Sequence, residues 1–119
     1  MNTTADVGRI GERIALSFLR ECGYVIYGCN VRLGRDEIDI VAYDPRDRVF
    51  VFAEVKARSK AHEAYVPELN LTPRKKTAMR RAARTWVAER GFEGGYRLDL
   101  LCVVGDRVTD HLQEVGADV

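Results

Sequence analysis

Two short charged clusters flank one turn, and their spacing constrains what this chain can fold into more than anything else in it. Asp36-Glu37-Ile38-Asp39 lies before Asp44-Pro45-Arg46-Asp47, and Glu54-Val55-Lys56 lies after it. The runs Glu37 to Tyr43 and Arg48 to Ala57 are rich in β-branched and aromatic residues, and the tetrapeptide between them has turn chemistry, so the spacing predicts an antiparallel pair. With the pairing centred between Arg46 and Asp47, Asp39 falls opposite Glu54, and a slip of one residue leaves them nearest neighbours. Opposed side chains on one face have Cβ atoms about 5 Å apart, where like charges are destabilising. Two carboxylates so placed ask for a cation between them.

The second strand alternates Val49, Val51, Ala53, Val55 and Ala57 on one face with Phe50, Phe52, Glu54, Lys56 and Arg58 on the other. The second face changes from aromatic to charged at Glu54, so one end of a half-buried surface receives a carboxylate, an ammonium and a guanidinium. Mg²⁺ favours one or two carboxylates completed by substrate phosphates. A lysine two residues on, Lys56, can hold a water or steady phosphoryl charge. The pattern suits phosphodiester hydrolysis. It equally describes a strand whose exposed end carries Glu and Lys as an ordinary ion pair.

At 119 residues the chain has room for one core, so residues 1–119 are expected to form a single domain. A net charge of +1 excludes a global polyanion-binding field, and any anion site must be local. Cys22, Cys29 and Cys102 are odd in number and lack C-x-x-C spacing, which argues against a disulfide framework or zinc site and predicts buried free thiols in a reducing cytoplasm. The first apolar stretch is broken by Arg9, Glu12 and Arg13, so neither a signal peptide nor a membrane span is expected.

Thr3 to Asp6 supply N-cap chemistry, and Val7, Ile10, Ile14, Phe18 and Cys22 recur at helical spacing until Gly23. In that helix Arg9, Arg13 and Arg20 fall on the solvent side. Glu12 sits on the flank of the apolar stripe in a row with Gly8, Ala15 and Leu19, where Gly8 and Gly11 would permit close approach. Tyr24 to Tyr27 and Asn30 to Arg32 predict an edge strand bent at Gly28. Residues 59–71 have no clear period and predict a loop rimming the sheet end, with His62 on it. Thr72-Pro73 caps a second helix that runs to about Arg90, with Met79, Ala82 and Trp86 on its apolar face. Between Arg74 and Arg84 stand six basic residues and no acid, namely Arg74, Lys75, Lys76, Arg80, Arg81 and Arg84. Three cations in the first turn oppose the helix macrodipole, and a phosphate backbone there would account for them, though a solvated basic face is the plainer alternative. Tyr96 to Val104 predicts a strand with Asp99 facing away from Leu98 and Leu100 and paired to a cation at the core edge. A short last strand near Val108 and a frayed tail from Asp110 complete the reading.

Taken in order, Gly8-x-x-Gly11-Glu12, Asn30-Val31-Arg32, Glu37-Ile38-Asp39-Ile40-Val41-Ala42, Val51 to Arg58 and Lys75 resemble the YraN-like family of predicted bacterial endonucleases in the PD-(D/E)XK superfamily, similar to archaeal Holliday-junction resolvases. The resemblance covers nearly the whole chain. It implies an α/β fold with a restriction-endonuclease-like α/β/α core, a mixed central sheet flanked by helices. It further implies Asp39 and Glu54 as ligands of Mg²⁺ or Mn²⁺, Lys56 as catalytic lysine, Glu12 as accessory acid, and Lys75 as a DNA contact. Where the family usually has Gly before Glu-Ile-Asp, this chain has Asp36.

The expectation is a cytoplasmic Mg²⁺-dependent endonuclease acting on DNA, branched or damaged, during recombination or repair. Arg58, Arg74, Lys75, Lys76, Arg80, Arg81 and Arg84 are the candidate nucleic-acid contacts. Two alternatives stand beside it: a nucleic-acid-binding module that cleaves nothing, and a structural or protein-interaction protein without polynucleotide affinity. Junction-cleaving relatives act as pairs on two-fold substrates, but no apolar interface stripe is visible here, so at most a weak homodimer is expected.

Overall fold

The computed structural model describes residues 3–60 and 71–116. The elements run α1 (Thr4–Glu21), β1 (Val25–Leu33), β2 (Asp36–Asp44), β3 (Val49–Arg58), α2 (Pro73–Glu89), β4 (Tyr96–Val104) and β5 (Arg107–Leu112). Of the expected rim loop 59–71, residues 61–70, including His62, lie outside the described residues, and Leu71 is buried in the core. The strands form one sheet in the order β1-β2-β3-β4-β5. All neighbours are antiparallel except β3 and β4, whose parallel pairing requires the crossover that α2 provides.

Alternation along the central strands divides the core into two layers. Phe50, Phe52, Leu98, Leu100 and Cys102 pack under Met79, Ala82, Ala83 and Trp86 of α2. Val51, Ala53, Leu101 and Val103 pack under Ala15 and Leu19 of α1. The helices therefore cover opposite faces, giving an α/β/α sandwich in the restriction-endonuclease-like manner. Both helices start where their caps dictate. Thr3 and Asp6 make a reciprocal capping box on α1, and the Thr72 hydroxyl accepts from the Lys75 N–H ahead of Pro73 on α2.

Four expectations need correction. The line of α1 that reaches the core is Gly11, Ala15 and Leu19, whereas Ile10 is 41% exposed. Small residues win over the larger apolar stripe because they let the helix sit closer: a Cβ on Gly11 would lie 2.4 Å from the Ala57 Cβ. Gly8, by contrast, faces open space. Cys22 and Cys29 are exposed and only Cys102 is buried. The tail beyond Asp110 is ordered through Gly116, because β5 extends to Leu112 and the Val115 N–H donates to the Leu98 carbonyl at 2.8 Å. Asp99 does pair with a cation, but at 0% exposure inside the core rather than at its edge.

Gly8→Ala should stabilise the protein by about 0.5–1 kcal/mol, the helix-propensity gain of alanine over glycine. Gly11→Ala should destabilise it despite the same gain, since the new methyl meets backbone-anchored Ala57. Urea denaturation of both variants checks the pair; a stabilised Gly11→Ala would disprove the close packing of α1.

Candidate functional site

The register of the central hairpin is the one the sequence predicts. Ile40 pairs with Ala53 and Asp44 with Val49, with the Arg48 N–H closing the turn onto the Asp44 carbonyl at 2.8 Å. One step beyond Ile40 the two strands part. The Val55 N–H donates to the Asp39 carboxylate at 2.9 Å, so a side chain takes the place a backbone carbonyl would hold in an unbroken ladder. The strand also rolls at this point. Ile38 packs on the α2 side and Ile40 on the α1 side, although residues two apart in a flat strand share a face.

On the other flank, β1 pairs Cys29 with Ile40 and Val31 with Ile38, which sets Asn30 opposite Asp39. Asn30 has φ +50, a left-handed conformation that asparagine tolerates better than most residues. Such outliers concentrate at functional sites. Its amide is hydrogen-bonded to Glu12 of α1. The sheet thus carries Asn30, Asp39 and Glu54 side by side on three adjacent strands, and the close seating of Gly11 brings Glu12 over them.

The electrostatics follow from this crowding. Burial and the neighbouring Glu54 charge push the Asp39 carboxyl up to about 6, the Val55 N–H opposing them, and the two carboxyl groups lie close enough to share a hydrogen bond. Glu12 is also raised, by burial and then by Asp39, against the Asn30 hydrogen bond. Glu54 is buried, and two ammonium groups approach it: Lys56 Nζ at 3.5 Å from Oε2 and Lys75 Nζ at 3.4 Å from Oε1. Lys75 is thus delivered from the first turn of α2 to the carboxylate rather than pointing only outward. A cleft of 180 Å³ opens on the α1 side of Asp39, lined also by Glu12, Asn30, Arg9 and Arg13.

The basic helix divides into tied and outward groups. Arg81 grips Asp36 with two bonds of 2.8 Å, and Arg80 donates to the Gly116 carbonyl at 3.0 Å. The Arg81 hydrogen bond outweighs partial burial and holds the Asp36 carboxyl below its ordinary value. Asp36 needs no glycine-like backbone, since Gly34, with φ +61, makes the turn. Arg74 and Arg84 are exposed, and Lys76 is partly so. Arg58 ends β3 on the Lys56 face, its carbonyl accepting from the Gly105 N–H at 2.8 Å.

A larger cleft, 580 Å³, opens at the other end of the sheet, beside buried Arg97. Here Arg97 bonds Asp99, Asp44, Asp47 and the Tyr24 hydroxyl, and His111 Nε2 lies 2.7 Å from Asp99. These charges pair with one another and tie the start of β4 to the β2–β3 turn and the tail. At the Asp39 end, two carboxylates face each other instead. That difference marks the Asp39 end as the candidate site.

Asn30, Arg9 and Arg13 were not among the candidate site residues, Asn30 entering only through the Asn30-Val31-Arg32 motif. Arg9 and Arg13 read as solvent-facing, and they are exposed in the structure, but they also line the cleft beside Asp39. Asn30 carries a local signal, the tolerance of asparagine for left-handed backbone, but nothing local places it opposite Asp39.

Among the described residues no three His, Cys, Asp or Glu side chains converge as a ready metal cage, and no helix is long and apolar enough to cross a membrane. Because Asp39 holds its proton more tightly in the fold than the ordinary 3.8, stability should fall as pH rises from about 4 to about 6 and stay flat above, by up to about 3 kcal/mol. Asp39→Asn should remove that loss, melting higher than the parent at pH 8 without metal and alike at pH 4. Equal melting at pH 8 would contradict the crowded carboxyl pair.

The sequence model of the Uncharacterised protein family UPF0102 matches residues 11–103, which include Glu12, Asp39, Glu54, Lys56 and Lys75. UPF0102 proteins of Chlorobium phaeobacteroides, Geotalea daltonii and Chloroherpeton thalassium are similar at 39%, 36% and 33% identity, covering 88%, 87% and 89% of this chain and 82%, 80% and 81% of their own. The chain belongs to family UPF0102, the YraN-like family to which its motifs pointed.

Proposed function

We propose that the chain is a Mg²⁺-dependent endonuclease that hydrolyses DNA phosphodiester bonds, in branched or damaged DNA. One observation carries the reading: the Asp39 carboxylate stands at the parting of β2 and β3 beside Glu54, with Lys56 on the same strand face. Two hard oxygen donors, Asp39 and Glu54, suit Mg²⁺, which keeps waters and is completed by substrate phosphate. Asp39 and Glu54 would hold the ion, which would polarise the phosphoryl group and lower the pKa of water. Lys56 orients the attacking water or steadies the charge that grows on phosphate oxygens. Glu12, raised by its surroundings, is placed to accept or return a proton near Asp39. Lys75 has one ammonium to share between Glu54 and an incoming phosphate. Exposed Arg74 and Arg84, with Lys76, extend the cationic track along α2.

A second reading has a specific observation in its favour, since Lys56 and Lys75 both lie at ion-pair distance from Glu54. On that view they are counter-ions of a structural acid pair and no polynucleotide binds. The magnitudes separate the two. The Lys56 and Lys75 side chains are 42% and 38% exposed although Glu54 is 9%, and removal of one lysine leaves Glu54 the other, so the loss of a single pair costs about 1 kcal/mol.

Lys56→Ala should therefore melt within a few degrees of the parent yet lose about 10²–10³-fold in cleavage rate. The assay is cleavage of single-stranded, duplex, flap and four-way-junction DNA with Mg²⁺ or Mn²⁺. A large fall in melting, together with no cleavage by the parent under either ion, would leave the structural reading standing.

A further inference from the structure

The cleft beside Asp39 shares Asp39 and Glu12 with the chemistry just described, but the rest of its lining is unlike a simple water channel. Leu16, Cys29 and Ile40 give it apolar walls. Asn30 and Glu12 stand together at its polar side, and Arg9 and Arg13 lie on its lining from the first half of α1. It opens on the α1 face of the sheet, the reverse of the α2 face that carries Lys56, Lys75 and the basic helix. A polynucleotide over Asp39 and Glu54 thus meets cations on both flanks, and on the α1 flank it meets a recess as well.

We propose that this cleft receives one unpaired nucleobase adjacent to the phosphodiester held over Asp39 and Glu54, so that the substrate class is DNA with at least one unstacked nucleotide at the cut. The inference rests on the nuclease reading and deepens it. Size permits it: a cavity of about 150 Å³ lined by apolar side chains admits a benzene ring, and this one measures 180 Å³. Chemistry favours it. Apolar walls accept the faces of a planar ring, and the Asn30 amide, which bears both donor and acceptor, stands where a base edge would present the complementary pattern. Arg13, and Arg9 where it exchanges its Asp6 partner for a phosphate, can neutralise phosphates next to the extruded nucleotide or stack on it. A base inside a matched duplex has both faces stacked and its pairing edge engaged, so entry requires unpairing at a cost of a few kcal/mol. Mismatched, flap and single-stranded nucleotides avoid most of that cost. The left-handed backbone at Asn30 then has a function, holding the amide at the cleft between Glu12 and Asp39.

The test measures binding in EDTA by fluorescence anisotropy, using a matched duplex, the same duplex with one unpaired nucleotide, and a single strand. 2-Aminopurine at the unpaired position reports the base environment. The parent should bind the two unpaired substrates at least tenfold more tightly than the duplex and change 2-aminopurine emission. Leu16→Trp and Cys29→Phe, which fill the cleft from opposite walls, should bring the affinity ratio to about one and abolish the emission change. A ratio near one in the parent, or a ratio unchanged in either folded variant, overturns the cleft assignment; cleavage of matched duplex by that parent leaves the nuclease reading intact. Failure of the parent to bind any of the three overturns the cleft assignment, and cleavage of the same DNAs with Mg²⁺ then decides the nuclease reading separately. Should neither variant fold, the ratio and the emission change in the parent decide between these outcomes.

Discussion

Everything at the candidate site follows from a backbone bond that β2 does not make. Where the ladder with β3 would continue past Ile40 and Ala53, the Asp39 side chain accepts the Val55 N–H instead. A buried N–H left without an acceptor would cost about 1–3 kcal/mol, so the strands can part only because a side chain closes the gap. The parting lets Asp39 occupy the space between the sheet faces, beside Glu54 and within electrostatic reach of Glu12 on one helix and Lys75 on the other. Asn30 takes up the same distortion on β1 through its left-handed conformation.

A site of this kind destabilises the sheet end that holds it, and the rest of the molecule offsets that locally unfavourable arrangement. The opposite end is locked by Arg97, whose guanidinium bridges β4, the β2–β3 turn and Tyr24. Burial lowers the Arg97 affinity for its proton, but Asp99 and Asp44 overcome this and raise it well above the ordinary value. At that end one guanidinium gathers three carboxylates, Asp44, Asp47 and Asp99. At the other they are left crowded and open to ligands, with the first turn of α2 and the close-packed half of α1 bringing cations to both sides. Asp36 ties the middle of α2 to the start of β2 through Arg81, fixing the helix that delivers Lys75.

Most of the architecture was legible because its signals are local. The central register follows from one turn and two alternating runs, and α2 from Thr72-Pro73 at its start and Gly91 after its end, with φ +63 there. The buried face of α1 was misplaced because hydrophobic spacing favours Val7, Ile10 and Ile14, whereas the requirement met by Gly11 is a distance to Ala57 on another element. The tail was misread as frayed because its hold is non-local, through Val115 on Leu98 and Glu114 on Asp99. At the site, the facing of Asp39 and Glu54 was readable from period and turn. The roll of β2 between Ile38 and Ile40 was not, nor were the roles open to Asn30, Arg9 and Arg13. Arg81 illustrates the same limit: a helical wheel places it with the free cations, and only the folded chain brings it to Asp36.

On the proposed reading, the repulsion between Asp39 and Glu54 is relieved by a divalent cation, and this claim supports every later step. Isothermal titration of Mn²⁺ into the parent and Asp39→Asn at pH 7 tests it most directly, because loss of one ligand charge leaves the Val55 N–H an acceptor and the fold intact. The account predicts one cation per chain for the parent and at least tenfold weaker binding for the variant. Equal affinity in the two proteins would contradict it.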